Sequence, residues 1–264
     1  FVVSFSALQD SRVQEKDGPV FLYEVSAEVT DQAGETRASQ QRILIGYAAI
    51  GTSLSCDPWQ TVDQPVRLEV RTHTLDGDPC AGVGEVVVHR LRQPERVHRP
   101  RLLESGRVMR LRVGETLDSG SESDLSDPIT WRLGDVVHRA DFTTDAQGQT
   151  TLLIPLDTGE HRAVVRVRDR LGKTVTELLP IRVLDPSASH LSIPVPALLE
   201  ARSWTVSPGE VLSALWGSGY ERARAFIEVL DGDRILQRYW TSPERTQAQV
   251  QQVVTEEMRG GFTL

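Results

Sequence analysis

Aspartate, histidine and cysteine carry most of the chemical reach in this chain, and their spacing decides what each can do. Two Asp-Ser/Thr-Gly triplets occur: Asp118-Ser119-Gly120 after Leu117, and Asp157-Thr158-Gly159 after Leu156. Aspartic proteases use such triplets to hold two carboxylates that share one proton. Here the triplets are 39 residues apart, Asp118 stands in a run of Ser, Glu and Asp, and Gly159 is followed by Glu160 rather than a small residue. Both read as turns. The six histidines, His73, His89, His98, His138, His161 and His190, include no pair at the i, i+4 spacing of a helix-borne zinc site. They read as surface or strand-face side chains. There is no Gly-x-Ser-x-Gly elbow, no Gly-x-Gly-x-x-Gly ahead of a helix and no phosphate-binding Walker loop. The expectation is a chain that is not an enzyme, with no catalytic, cofactor-binding or metal-binding residues.

Cys56 and Cys80 are too few for a disulfide scaffold or a four-Cys zinc site. A single bridge between them is the remaining option. If strands near 55–61 and 65–75 form an antiparallel hairpin, the start of the first lies beside the end of the second. Cys80 follows that end after the Asp76-Gly77-Asp78-Pro79 turn. The Cα separation would then fall within the ~4.4–6.8 Å that a bridge needs. If the first strand pairs across the sandwich instead, two free thiols result. Trp59, Trp131, Trp204, Trp216 and Trp240 would make a sugar-stacking platform if exposed on one face, and core residues otherwise.

Composition narrows the partners. The chain has 264 residues, a net charge of -8 and 25% charged residues, with 27 Arg, 2 Lys and no Asn. Without a concentrated basic surface, nucleic acid is not an expected partner. Without Asn there is no N-glycosylation acceptor. No run of 18 apolar residues is present, so no membrane span is expected. The chain opens on Phe1-Val2-Val3 with no Met and no basic leader, and reads as a piece of a longer protein.

The elements that must position these residues are strands. Phe21, Tyr23, Val25, Ala27 and Val29 alternate with polar neighbours, as do Leu68 and Val70, and Ala163, Val165 and Val167. Period-two alternation marks half-buried strands, and 178–184 and 226–230 are further candidates. A turn of the form Asp-x-x-Gly-x-Thr appears three times, at Asp31-Gly34-Thr36, Asp145-Gly148-Thr150 and Asp169-Gly172-Thr174. The aspartate accepts backbone N–H groups, and the glycine takes positive φ without a Cβ penalty. Calcium ligation would need several oxygens converging on one point. Residues 220–228 and 246–258 favour helix by composition and stay open between helix and strand. This density of strands and turns predicts an all-β chain of tandem immunoglobulin-like sandwiches.

The expected organisation is in three parts. Residues 1–47 hold the C-terminal part of one sandwich. Residues 48–185 form a complete middle module with an exposed insertion near 94–127. After a linker, residues 190–264 hold the N-terminal part of another module. Open strand edges at both ends predict association between copies as a non-native dimer.

Two segments carry a family resemblance. Tyr23-Glu24-Val25-Ser26-Ala27-Glu28-Val29-Thr30-Asp31-Gln32-Ala33-Gly34-Glu35-Thr36-Arg37 resembles a hairpin of macroglobulin domains in bacterial alpha-2-macroglobulin-like proteins. Val206-Ser207-Pro208-Gly209-Glu210, leading into Leu215-Trp216-Gly217-Ser218 with Arg259-Gly260-Gly261-Phe262 downstream, resembles the opening half of another such domain. The resemblance implies seven-stranded macroglobulin-type sandwiches and resolves the two open stretches as strands. It implies a scaffold fragment of a protein that traps endopeptidases, periplasmic or extracellular. Its partners would be other domains of the parent chain and, through them, target proteases. That location would let a Cys56–Cys80 bridge form. The family's Cys-x-Glu-Gln thioester motif is matched neither by Cys56-Asp57-Pro58 nor by Cys80-Ala81-Gly82. An adhesion or carbohydrate-binding array is the alternative.

Overall fold

A computed structural model describes residues 4, 6–8, 10, 12–13, 18–100 and 124–264. The fold is all-β, with fifteen strands and two single-turn 3-10 helices among the described residues. Asp118 and most of the 94–127 segment lie outside the described residues.

The chain first makes a long hairpin, β1 (Val20–Thr30) with β2 (Thr36–Gly46), paired from Val20–Gly46 to Thr30–Thr36. Its turn works as the residue types require. Asp31 Oδ1 accepts the N–H groups of Ala33 and Glu35, each at 2.9 Å, and Gly34 takes φ +84°. The alternating face of β1 is covered only near its root: Phe21, Tyr23 and Val25 are half-buried, while Val29 is 69% exposed. Among the described residues β1 and β2 pair only with each other, and the distal half of β1 is exposed.

The middle sandwich packs two sheets. One orders β3 (Gly51–Ser55), β5 (Val66–His73) and β8 (Gln149–Ile154). The other orders β4 (Gln60–Thr61), β10 (Thr174–Leu184), β9 (Gly159–Arg168), β6 (Val83–Leu91) and β7 (Leu133–Thr143). All pairs are antiparallel except two-residue β4 on β10. Alternation puts Val66, Leu68 and Val70 against Val86, Val88, Ala163, Val165, Val167, Ile181 and Val183, all with relative exposures of at most 2%. A buried polar knot ties the sheets at one end. Thr72 Oγ1 bonds Thr144 Oγ1 at 2.7 Å and donates to the Cys80 carbonyl at 2.6 Å. The 145–149 turn reaches this knot because Gly148 has no side chain. A Cβ there would lie 2.0 Å from the Thr72 carbonyl oxygen, and φ is +66°.

Beyond 184 the chain builds β11 (Leu198–Ala201), β12 (Val211–Gly217) and β15 (Gln247–Val253) as one sheet, and β13 (Phe226–Asp231) with β14 (Arg234–Trp240) as another. Leu230 also bridges to Thr263. The two stretches left open by propensity are loop and strand: 220–225 has no regular structure, and the strands are β13 and β15, with a 3-10 turn only at Glu256–Met258. Alternation of Ile227 and Val229 into the core overrides local helix preference.

Candidate functional site

The strongest cluster of perturbed ionisable groups lies on β9, where Glu160, His161 and Arg162 are all buried. Successive strand residues face opposite ways. His161 therefore points inward with Ala163, and Glu160 and Arg162 point to the outer face of the five-stranded sheet.

On that outer face Arg182 of β10 stands directly opposite Glu160 in the register. Its Nε donates to Glu160, and its Nη1 donates to Glu200 Oε1 on β11 at 2.8 Å. Burial still holds the Glu160 carboxyl above its ordinary pKa, outweighing Arg182, with Glu200 and Asp127 adding to the rise. Arg162 donates to the carbonyls of Ile129 and Trp131, and its Nε has no partner among the described residues. Burial lowers its pKa against the pull of Glu160 and Asp127. Asp127 caps the 3-10 turn at Pro128–Thr130, accepting from the Ile129 N–H at 3.0 Å. Trp131, fully buried, donates Nε1–H to the Leu125 carbonyl at 3.0 Å.

On the inner face His161 is pushed down to about 4, first by burial and then by the charge of Arg90, against the Gly159 backbone and Asp157. Its Nδ1 has no partner among the described residues. It borders a cavity of about 480 Å³ together with Asp63, Arg90 and Asp157. A nucleophile held by a base needs a hydroxyl or thiol within hydrogen-bond reach. Among the described residues no Ser, Thr or Cys lines this cavity. Asp157 thus lies beside a neutral imidazole, while Asp118, its sequence counterpart, lies outside the described residues. No cluster of three or more His, Cys, Asp or Glu suited to a metal occurs among the described residues.

The expected bridge between Cys56 and Cys80 is not formed; both are free, half-buried, and packed against the central core. The register gives the reason. Ser55 pairs with Glu69, so Cys56 follows β3 beside Leu68, whereas the Cys80 N–H bonds the Thr72 carbonyl. Four residues of β5 separate the two positions, roughly 13 Å along a strand. The first strand ends at Ser55 instead of beginning there.

The tryptophans divide. Trp131 and Trp216 are buried, while Trp204 and Trp240 are 56% and 54% exposed. Trp240 packs against Phe226 with ring centroids 5.0 Å apart and planes tilted by 46°, and the Arg224 guanidinium lies 4.3 Å from its ring centre.

The Glu160–Arg182–Glu200 chain was not anticipated from the sequence, although a signal for it existed. The Asp169 turn sets Arg168 opposite Thr174 and hence Glu160 opposite Arg182. What gave no signal was the approach to that face of Ile129 and Trp131 from one side and Glu200 of the next module from the other.

Compared with known proteins, the chain matches no family model and no curated protein. Among solved structures it is similar to Salmonella alpha-2-macroglobulin reacted with methylamine, at 12% identity and TM-score 0.32, over 92% of this chain and 15% of that one. It is similar to trypsin-activated alpha-2-macroglobulin from Escherichia coli at 11% identity and TM-score 0.32, over 91% of this chain and 20% of that one. It is also similar to a tetra-tandem repeat from the extending region of a large adhesion protein, at 12% identity and TM-score 0.31, over 90% and 49% of the two chains. The chain thus spans less than a quarter of either macroglobulin's length.

Proposed function

We propose that this chain is a non-catalytic scaffold segment of a larger bacterial alpha-2-macroglobulin-like protein that inhibits endopeptidases, periplasmic or extracellular. The observation that carries the scaffold part is a second apolar core between modules. Leu91, Trp131 and Leu184 of the middle sandwich pack with Leu191, Ile193 and Val195 of the connecting stretch and with Leu198 and Leu215 of the next module. Arg162 donates to the carbonyl of Trp131, a member of this core, and Arg182 joins Glu160 to Glu200 of the next module. The macroglobulin part rests on the resemblance of residues 23–37 and 206–218 to that family. Other domains of the parent chain would be the partners here, and target proteases would meet the assembled protein. Where β1 and β2 are not covered by such domains, their open edges favour pairing between copies as a non-native dimer.

The test uses the parent protein. A trap encloses a protease, so it blocks cleavage of a large protein substrate while sparing hydrolysis of a small peptide. Equal inhibition of both, or of neither, would remove the trap reading. An adhesion or carbohydrate-binding array is favoured by one observation, the exposed Phe226–Trp240 pair on β13–β14. Glycan binding that is lost in Trp240→Ala would establish that reading instead.

A further inference from the structure

Pro, Ser and Ala at 186–189 are the composition of a loose linker, and modules joined by such linkers ordinarily move relative to one another. The structure holds this one. Gln247 Nε2, on a residue only 2% exposed, donates to the carbonyls of Asp185 at 2.7 Å and Ala188 at 2.9 Å. The N–H groups of Thr246 and Gln247 both reach the Ser189 carbonyl. Gly219 lets the chain pass close by: its N–H meets the Val195 carbonyl at 2.8 Å, and a Cβ there would lie 2.4 Å from the Ile193 oxygen.

We propose that Arg182 is the angular lock of this joint, fixing how the module after residue 190 is oriented on the middle sandwich. The apolar core between the modules keeps them in contact. Apolar contact is non-directional, however, and permits rotation. Direction comes from one guanidinium that joins β9 to β11 through Glu160 and Glu200. Charge-assisted bonds of this kind fix geometry as well as supplying energy. Asp127 and Arg162 complete the set of charged groups around Glu160. Glu160 is 4% exposed and held within the sheet, whereas the Glu200 side chain is 40% exposed at the boundary. The bond from Arg182 to Glu200 is thus the arm that crosses between modules. This inference stands whether or not the scaffold belongs to a protease trap.

The test is a distance distribution by pulsed electron spin resonance. Labels go at Arg170 and Arg234, both exposed, with Cys56 and Cys80 replaced by Ser. The unaltered joint is expected to give one narrow distribution. Glu200→Ala removes only the crossing arm and is expected to broaden the distribution and shift its mean. Arg182→Met is expected to do so more strongly. Because Arg182→Met also strands Glu160 without its partner, the triple variant Glu160→Gln/Arg182→Met/Glu200→Gln is measured beside it. That variant leaves no buried charge uncompensated at these three positions. Distributions of Glu200→Ala and the triple variant that match the parent in mean and width would overturn the proposal and assign the angle to the apolar core and the Gln247 and Gly219 bonds. A broad distribution in the parent would overturn it as well.

Discussion

Asp169 shows how much one side chain can do beyond closing a turn. Its Oδ1 accepts the N–H groups of Leu171 and Lys173 at 2.8 Å, as in the two sister turns, but its Oδ2 also takes the Ala49 N–H at 2.9 Å. These backbone bonds, Ala49 first, hold its carboxyl below the usual range. Asp31 makes the same local bonds on an exposed hairpin, with no such third contact among the described residues. Asp169→Ala is therefore expected to cost about 2–3 kcal/mol, and Asp31→Ala under about 1 kcal/mol, by urea denaturation. Equal costs would refute the anchoring role. His161 governs a pH response. Its folded pKa of about 4 lies below the ordinary 6.5. The unfolded chain therefore binds the proton first, and stability falls as pH drops from 6.5 toward 4, by up to about 3 kcal/mol. Glu160 acts with the opposite sign: its raised pKa means that stability falls as pH rises through the folded value from 4.5 upward. Replacing His161 with Leu should flatten the acid limb between pH 6.5 and 4.5 and leave the Glu160 component. An unchanged acid limb would show that the imidazole is not held neutral.

At the scale of elements, β5 is the ruler that separates the two thiols. Thiol titration of the denatured, unreduced protein should return two free groups per chain, and none would mean that the strand register is misplaced. Several strands with a buried face were legible in the sequence, though β6, β8, β12 and β15 were not singled out by alternation. Leu68 and Val70, and Ala163, Val165 and Val167, alternate in the chain and pack inward in the sandwich. The three Asp-x-x-Gly turns were legible too, because their chemistry is local. Long-range pairing was not. The extent of β3 depends on β5, Arg162 is met by the carbonyls of Ile129 and Trp131 well before it in the chain, and the Glu160–Arg182 pair reaches Glu200 well after it, none of which period or propensity encodes. For the same reason β1 reads as a half-buried strand along its whole length, yet only its root is covered.

For the whole molecule, the expected behaviour is structural. On the scaffold reading the chain is expected to hydrolyse no peptide substrate, and the cavity that holds His161 and Asp157 is the place to test it. Saturable hydrolysis that disappears in Asp118→Asn or Asp157→Asn would contradict this. Fold class was readable from texture alone, but the union of two modules through Leu91, Trp131, Leu184 and Leu215 was not. Those residues are single apolar positions in four separate stretches, and only the tertiary fold brings them together.

The anchoring of Ala49 to Asp169 also fixes a direction. Asp169 closes the β9–β10 turn, whereas Leu184, where the chain leaves the sandwich, lies at the far end of β10 beside Thr61. Entry and exit are therefore at opposite ends of the strands, and tension applied along the chain runs parallel to them. The hydrogen bonds of β3 to β5 and of β10 to β9 would then be loaded in shear, all together, rather than unzipped one by one. Stretched between Gly46 and Asp185 in a force spectrometer, the sandwich should yield in a single high-force event. A staircase of small ruptures would show that load enters the fold by another route.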